Sequence, residues 1–517
     1  MEKFLAGVKA VNDAINERVW GIECLVLLIG TGIILTVLTK FFQIAHIRHW
    51  WSNTIVSIFK KDGSSTKSKG KKTISQFQAL CTALAATVGT GNIAGVAAAI
   101  VTGGPGAVFW MWFAAFFGLI TKFTEATLSV YFRRKNADGE WTGGPMYYLT
   151  DGLVKYYGKK WLSPVSKVLA ILFAAFTILA SFGIGNMCQV NKIVINMDVA
   201  FFKNANLGTI PGTEIQIIHL IIGGVLLAIG AVVVLGGIQR VAKFAELVVP
   251  FMAVLYILGS LVIFFANITA VGAMFAAIFK FAFTPAAVVG GGLGVFIKVT
   301  VTQGFKRGVF SNEAGLGSSA LVHASSNAKE PVKQGMWGIF EVFFDTFIIC
   351  TITAIVVLSS GYINLTTGAP NAGVDGDTLV SAAFSKIFGA PGAWFIAIAI
   401  LFFAFTTIIG WSQYGAKAIE YLFGSRSVIV YKIIFIVMII GGAVIDGGLA
   451  WDLSDTFNGL MMIPNLIGVI ALFPLVVKIV KNYVDRKIRH KDIAPMLSYD
   501  AITESQMAQN LDENIEE

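Results

Sequence analysis

Apolar residues along this chain gather in long runs separated by short polar stretches, and the length of the runs sets the architecture. A helix needs about 20 residues, at about 1.5 Å each, to cross the hydrocarbon of a bilayer. Eleven runs reach that scale. The first is Gly21 to Phe42. The ten that follow, core helices 1 to 10, are Phe77 to Val101, Gly106 to Tyr131, Val165 to Cys188, Ile215 to Leu235, Leu247 to Ala266, Ala286 to Val301, Met336 to Leu358, Ala393 to Trp411, Val428 to Val444 and Leu460 to Val480. The pattern predicts an all-α polytopic membrane protein.

Ten core helices divide into two sets of five. Because five is odd, the second set crosses the membrane in the opposite sense to the first, which is the topology of an inverted repeat. The first helix of each set is interrupted by glycine: Gly89 and Gly91 in core helix 1, and Gly290, Gly291, Gly292 and Gly294 in or near core helix 6. Such interruptions at matching positions point to a central binding site. The expected divisions are 1–75 (N-terminal segment, extra helix and basic loop), 76–266 (first repeat), 267–482 (second repeat) and 483–517 (C-terminal tail).

Composition agrees with this class. Hydrophobic residues make up 56% of the 517 and charged residues 13%, a surplus for which a water-soluble fold has no place. Lys60, Lys61, Lys67, Lys69, Lys71 and Lys72 follow the first span, and Arg133, Arg134, Lys135, Lys155, Lys159 and Lys160 fall in the next loop on that side. Basic residues stay cytoplasmic, so the N-terminus is expected outside and the C-terminus inside. The same asymmetry accounts for the net charge of +9 without a nucleic-acid partner. The first span reads as retained rather than as a signal peptide, and the acidic tail from Asp492 onward reads as unstructured. Cys24, Cys81, Cys188 and Cys350 show neither disulfide nor metal spacing.

Core helix 1 places Gly89, Thr90, Gly91 and Asn92 at mid-membrane depth. If the helix unwinds there, the amides of Thr90, Gly91 and Asn92 begin an outer half-helix whose dipole favours a carboxylate. The carbonyls from Ala85 to Val88 end the inner half and suit a cation. The competing reading is close helix packing through small residues. Core helix 8 sets Thr406 beside Thr407 in an apolar span, where their hydroxyls either ligate a hard monovalent cation or bond back to their own helix. Asn186 and Gln189 on core helix 3 face the same choice between substrate and interhelical bonding. Trp411, one turn after Thr407, floors a pocket or anchors at the interface.

Charges inside spans are costly and are functional candidates by default. Glu341 and Asp345 lie one turn apart on core helix 7, and Lys298 lies on core helix 6; a structural ion pair between the two helices is expected, with a gate or proton relay as the alternative. Glu125 and Glu246 read as interfacial. The chain carries no GxxxxGK[ST] loop, HExxH or GxSxG elbow, so no enzymatic chemistry is expected.

Four stretches go further: Ala79 to Val96 (ALCTALAATVGTGNIAGV), Trp141 to Tyr148 (WTGGPMYY), Thr302 to Gly317 (TQGFKRGVFSNEAGLG) and Ile409 to Tyr414 (IGWSQY). The chain resembles the alanine or glycine:cation symporter family from about Thr73 to Val480. The resemblance implies a leucine-transporter-like 5+5 fold with one extra N-terminal helix, 11 spans in all, in the cytoplasmic membrane. It implies import of alanine or glycine coupled to Na+, with H+ as the alternative ion, and no obligate protein partner. It also implies a sodium site on the carbonyls of Ala85, Val88 and Phe403 and the hydroxyls of Thr406 and Thr407. The substrate would lie against Gly89, Thr90, Gly91 and Asn92, with Gly290 to Gly292 taking its ammonium and Thr407 and Trp411 lining the pocket.

Overall fold

The computed structural model describes residues 2–60, 65–67, 73–202, 207–211, 213, 215–284, 295, 297–371, 373, 376, 378–445, 447–501 and 503–504. Among them, seven helices are each long and apolar enough to cross a membrane, and three bent pairs raise the number to ten. The remaining expected span, core helix 6, falls partly on residues outside the described set, as do Gly290, Gly291 and Gly292.

The first span is Ile22–Leu38, preceded by the helix Glu2–Val19. Core helix 1 is broken: Gln76–Thr87 and Gly91–Gly103 meet at 54°. Its start is fixed by a capping box, in which Ser75 Oγ accepts from the Gln78 amide and Gln78 Oε1 accepts from the Ser75 amide, both at 3.0 Å. Core helix 2 is Gly106–Tyr131, core helix 3 runs through Leu162–Phe202, core helix 4 is Ile217–Val234 and core helix 5 is Gly237–Ala266. Core helices 7, 8 and 9 are Pro331–Ser359, Ala390–Phe423 and Ser427–Val444, and core helix 10 bends by 61° between Trp451–Ala471 and Phe473–Lys487.

Core helix 6 differs from the hydropathy expectation. A wide turn at Ile297–Val301 leads into Thr302–Asn312, and a short helix, Ala320–His323, resumes after a break. Glu313 (φ 56°), Gly315 (φ 92°) and Gly317 (φ 75°) adopt left-handed or related positive-φ conformations in that break. Hydropathy ended the span at Val301 because Lys306 and Arg307 follow. In the structure both cations pair with Asp455 of core helix 10, at 2.7 and 3.2 Å, so the helix carries them inward without leaving them unpaired.

Core helix 8 is central and core helix 5 peripheral: 67% of the apolar window of the former is buried against 33% of the latter. On core helix 5 the side chains of Leu247, Phe251, Val254 and Leu258 are all more than half exposed. A continuous apolar face of that kind needs lipid around it. Glycines bring the helices together elsewhere. A Cβ added at Gly338 of core helix 7 would stand 3.0 Å from the Lys122 carbonyl of core helix 2, and one at Gly410 of core helix 8 would stand 2.7 Å from the Ala86 amide of core helix 1.

The loops sort onto two ends. Ile74 pairs with Ser326, Arg133 donates to the carbonyls of Ala324, Ser326 and Ala328, and Arg486 donates to Glu330 at 2.6 Å, all at the end away from Glu2–Val19. Burial lowers the pKa of Arg133 to about 9. The first part of the C-terminal tail is ordered, contrary to the sequence reading. Leu497 is fully buried, and Ser498 Oγ donates to the Tyr131 carbonyl at 3.3 Å.

Candidate functional site

The break in core helix 1 opens where Val88 leaves the helical region (φ −82°, ψ 87°). Beyond Thr87, the carbonyls of Ala85, Ala86 and Thr87 have no partner within their own helix. The amides beyond the break are already held. Gly89 N donates to Asn92 Oδ1 at 2.9 Å, Thr90 N to Gln189 Oε1 at 3.2 Å, and Asn92 N to the Gly89 carbonyl at 3.2 Å. The break is therefore an organised turn.

Core helix 8 closes on it. A Cβ on Gly89 would overlap Thr407 Oγ1, with Thr407 Cβ 3.3 Å away, so any side chain there would force Thr407 to shift. Thr406 Oγ1 donates to the carbonyls of Phe402 and Phe403, both at 2.9 Å, and Thr407 Oγ1 donates to Phe403 at 3.0 Å. Both hydroxyls bond back to their own helix, yet both converge on the Phe403 carbonyl. Thr406 Oγ1 also meets Met252 Sδ of core helix 5 at 3.4 Å, and each hydroxyl oxygen keeps its lone pairs as acceptors.

Trp411 is completely buried rather than interfacial, because core helix 8 runs three turns past it. Gly185 of core helix 3 makes room for it: a Cβ there would stand 2.6 Å from Trp411 Cγ. Of the two polar side chains on core helix 3, the structure brings Gln189 to the break. Asn186 instead donates to the Phe435 carbonyl of core helix 9 at 2.6 Å. Among the described residues, the buried polar atoms around this region without a hydrogen-bond partner include Thr90 Oγ1, Asn186 Oδ1 and Tyr414 OH, whereas the Trp411 side chain bonds to the buried Glu313 carboxylate.

Core helix 6 supplies the opposite wall. A Cβ on Gly91 would stand 3.1 Å from Phe310 Cδ1 and 3.5 Å from Ser311 Cα, so the end of Thr302–Asn312 abuts the break. Sequence reasoning missed both residues because it ended the span at Val301. Beside them lies Asp345, fully buried, whose carboxylate accepts from Asn92 Nδ2 at 2.6 Å, Ser311 Oγ at 2.9 Å and Thr346 Oγ1 at 2.9 Å. All three donors are neutral. An ionised carboxylate with only neutral donors, out of water, favours uptake of a cation or a proton.

The expected ion pair between core helices 6 and 7 is not formed. Lys298 lies at the start of its helix, about 20 Å along the axis from Asn312, and pairs with the exposed Glu17 at 2.7 Å. The partner of Glu341 is Lys122 of core helix 2, at 3.2 Å, with both side chains buried. Glu341 also meets His323 Nε2 at 2.9 Å, while Gln334 Nε2 donates to His323 Nδ1 at 2.7 Å. Glu125 is buried as well and accepts from Asn465, in contrast to the interfacial reading. Glu246 is partly buried near the start of core helix 5, where it accepts from Gln78 Nε2 at 2.8 Å.

Comparison with known proteins fits this geometry. The model of the sodium:alanine symporter family matches residues 5–496. The chain is 42% identical over 471 residues to "Sodium/alanine symporter AgcS" of Methanococcus maripaludis, covering 91% of this chain and 96% of the relative. It is 37% identical over 479 residues to "Probable sodium/glutamine symporter GlnT" of Bacillus subtilis, covering 92% and 91%. Among solved structures, MhsT in complex with L-phenylalanine superposes with a TM-score of 0.53 at 12% identity, over 80% of this chain and 99% of MhsT. That likeness establishes the leucine-transporter-like fold. The chain is an integral membrane protein of a transporter family, and it belongs to the sodium:alanine symporter family.

Proposed function

We propose that this protein is a secondary symporter that imports a small neutral amino acid, alanine or glycine, together with Na+ by alternating access, with its N-terminus outside and its C-terminus inside. The observation that carries the reading is the set of buried, unpartnered atoms at the break. Thr90 Oγ1 lies beside Gly89, and Tyr414 OH lies on core helix 8 two turns beyond Thr407. Buried polar atoms without partners are uncommon in native proteins and call for a ligand or another specific cause. A zwitterion offers both a donor and an acceptor group.

In this reading the substrate carboxylate docks at Thr90 Oγ1 on the Gly89 to Asn92 turn, not on the amides of Gly89, Thr90 and Asn92, which are already held, that of Thr90 by Gln189. The ammonium faces core helix 6, where Phe310 and Ser311 meet Gly91; Gly290 to Gly292 remain candidates outside the described residues. Asn186 ties core helix 3 to core helix 9. Na+ binds between the carbonyls of Ala85, Val88 and Phe403 and the hydroxyls of Thr406 and Thr407, drawing core helices 1 and 8 together. A pocket floored by the buried Trp411 would favour a short side chain. The name of AgcS supports alanine, while that of GlnT shows that relatives are assigned other amino acids.

A second reading rests on Asp345, whose neutral surroundings suit H+ as well as Na+. Uptake of labelled alanine into proteoliposomes separates the two. Accumulation with sodium outside, and none with potassium plus a proton gradient, supports the sodium reading; the reverse moves coupling to H+. No accumulation under either gradient overturns the substrate assignment.

A further inference from the structure

The helix Glu2–Val19 lies outside the ten core helices, yet it is bonded to two of them. Part of it, Lys9–Val19, meets the first span at 41° and crosses the ends of core helices 6 and 10. Toward core helix 10, Asn16 Nδ2 donates to Thr456 Oγ1 and Trp20 Nε1 to the Asp455 carbonyl, both at 3.0 Å, and Lys9 pairs with Asp452 at 3.0 Å. Val19 packs against Gly459. From core helix 6, Lys306 donates to Asn16 Oδ1 at 3.2 Å and Lys298 to Glu17 at 2.7 Å. The exposed lysine pairs are screened by water and contribute little. The attachment therefore rests on Asn16, Val19 and Trp20.

Beneath this helix the same two core helices close over the site. Asp455, only 1% exposed, is held by Lys306 and Arg307. The Arg307 guanidinium stacks 5.1 Å from the Trp451 ring and 5.6 Å from that of Phe310. Those two rings lie 4.8 Å apart, and Phe310 rests on Gly91 in the break. A continuous line of contacts thus runs from Trp20 through Asp455, Arg307 and Phe310 to the break. Phe310 stands between Gly91 and Trp451, and opening this end by moving core helix 6 from core helix 10 parts the two rings. That separation pulls apart the two helix ends to which Asn16 is bonded.

We propose that Glu2–Val19 is a strap that holds core helices 6 and 10 together over the entrance on its own face of the protein, and that it releases when this entrance opens. The proposal rests on the alternating-access reading. A helix that merely anchored the chain would have no reason to bridge both sides of the closure, and its bonds would stay intact throughout transport.

Hydrogen–deuterium exchange of the full chain in lipid nanodiscs tests it, in sodium with and without alanine. Residues 9–20 and 451–460 are expected to exchange several-fold faster without alanine, and to slow together when it is added. Slowing of residues 76–103 reports alanine binding independently. A strap that does not respond beside a responsive core helix 1 overturns the strap alone; a core helix 1 that does not respond overturns the transport reading with it. In a second measurement, Asn16→Ala, outside the binding site, should still bind alanine, with an affinity lowered by no more than the factor by which the strap is weakened, and raise exchange of 451–460 several-fold with alanine bound. Unchanged exchange in that segment also overturns the proposal.

Discussion

Gly89 and Thr407 stand so close that the hydrogen on Gly89 cannot be replaced by a methyl group without striking Thr407 Oγ1. The two residues belong to different five-helix sets, so this contact is where the halves of the fold meet at the break. Overpacking a tight contact costs about 1–3 kcal/mol, roughly a five- to hundredfold change in the population of the closed arrangement. Gly89→Ala should therefore cut alanine uptake by about that factor while leaving the protein folded. Proteoliposome uptake, with gel filtration as the folding control, measures it. Uptake at the parent rate would mean that the close approach is incidental to transport.

The hydroxyl of Thr407 gives a separate prediction. Thr407→Ser keeps the oxygen that meets the Phe403 carbonyl and should retain sodium-dependent uptake. Thr407→Ala removes that oxygen and should abolish the sodium dependence, although the variant inserts normally. A sodium titration of uptake in the two variants decides it. Equal sodium response would remove Thr407 from the cation site.

Much of this arrangement is legible in the sequence, for a physical reason. Two glycines, two threonines and an asparagine within six residues are poor material for an uninterrupted apolar helix, so the break in core helix 1 shows in the chain itself. Core helix 6 hid its register because Lys306 and Arg307 look like the end of a span. Their neutralising partner, Asp455, is some 150 residues away in sequence and visible only in three dimensions. The same limit applies to Lys122 and Glu341, whose pairing depends on how closely Gly335 and Gly338 let core helix 7 approach core helix 2. The roles of Gln189 and Asn186 separate only once their neighbours are known, since both are amides on one apolar helix.

Asp345 joins three elements through Asn92, Ser311 and Thr346. Asp345→Asn keeps the size of the side chain and removes its charge. The concentration of sodium needed for half-maximal uptake should rise about tenfold or more, as expected when a buried charge that attracts the ion is lost. If Asp345 takes a proton instead, the variant should keep its sodium response and lose its dependence on pH. Sodium and pH titrations of uptake, run on the same preparation, distinguish the two.

Lys122 and Glu341 predict a difference between breaking a buried pair and deleting it. Lys122→Met leaves the Glu341 carboxylate with His323 and a longer contact to Ser319 at 3.5 Å. Stranding one member of a buried pair costs about 3–5 kcal/mol, whereas replacing both members is often close to neutral. The single variant should therefore unfold at a clearly lower temperature in detergent. The double variant, Lys122→Met with Glu341→Gln, should recover most of the loss, because glutamine can still accept from His323. Recovery of stability together with transport would identify the pair as a structural tie between core helices 2 and 7. Recovery of stability without transport would mean that the charges themselves act in the cycle, and would bring back the gate or relay considered for Glu341.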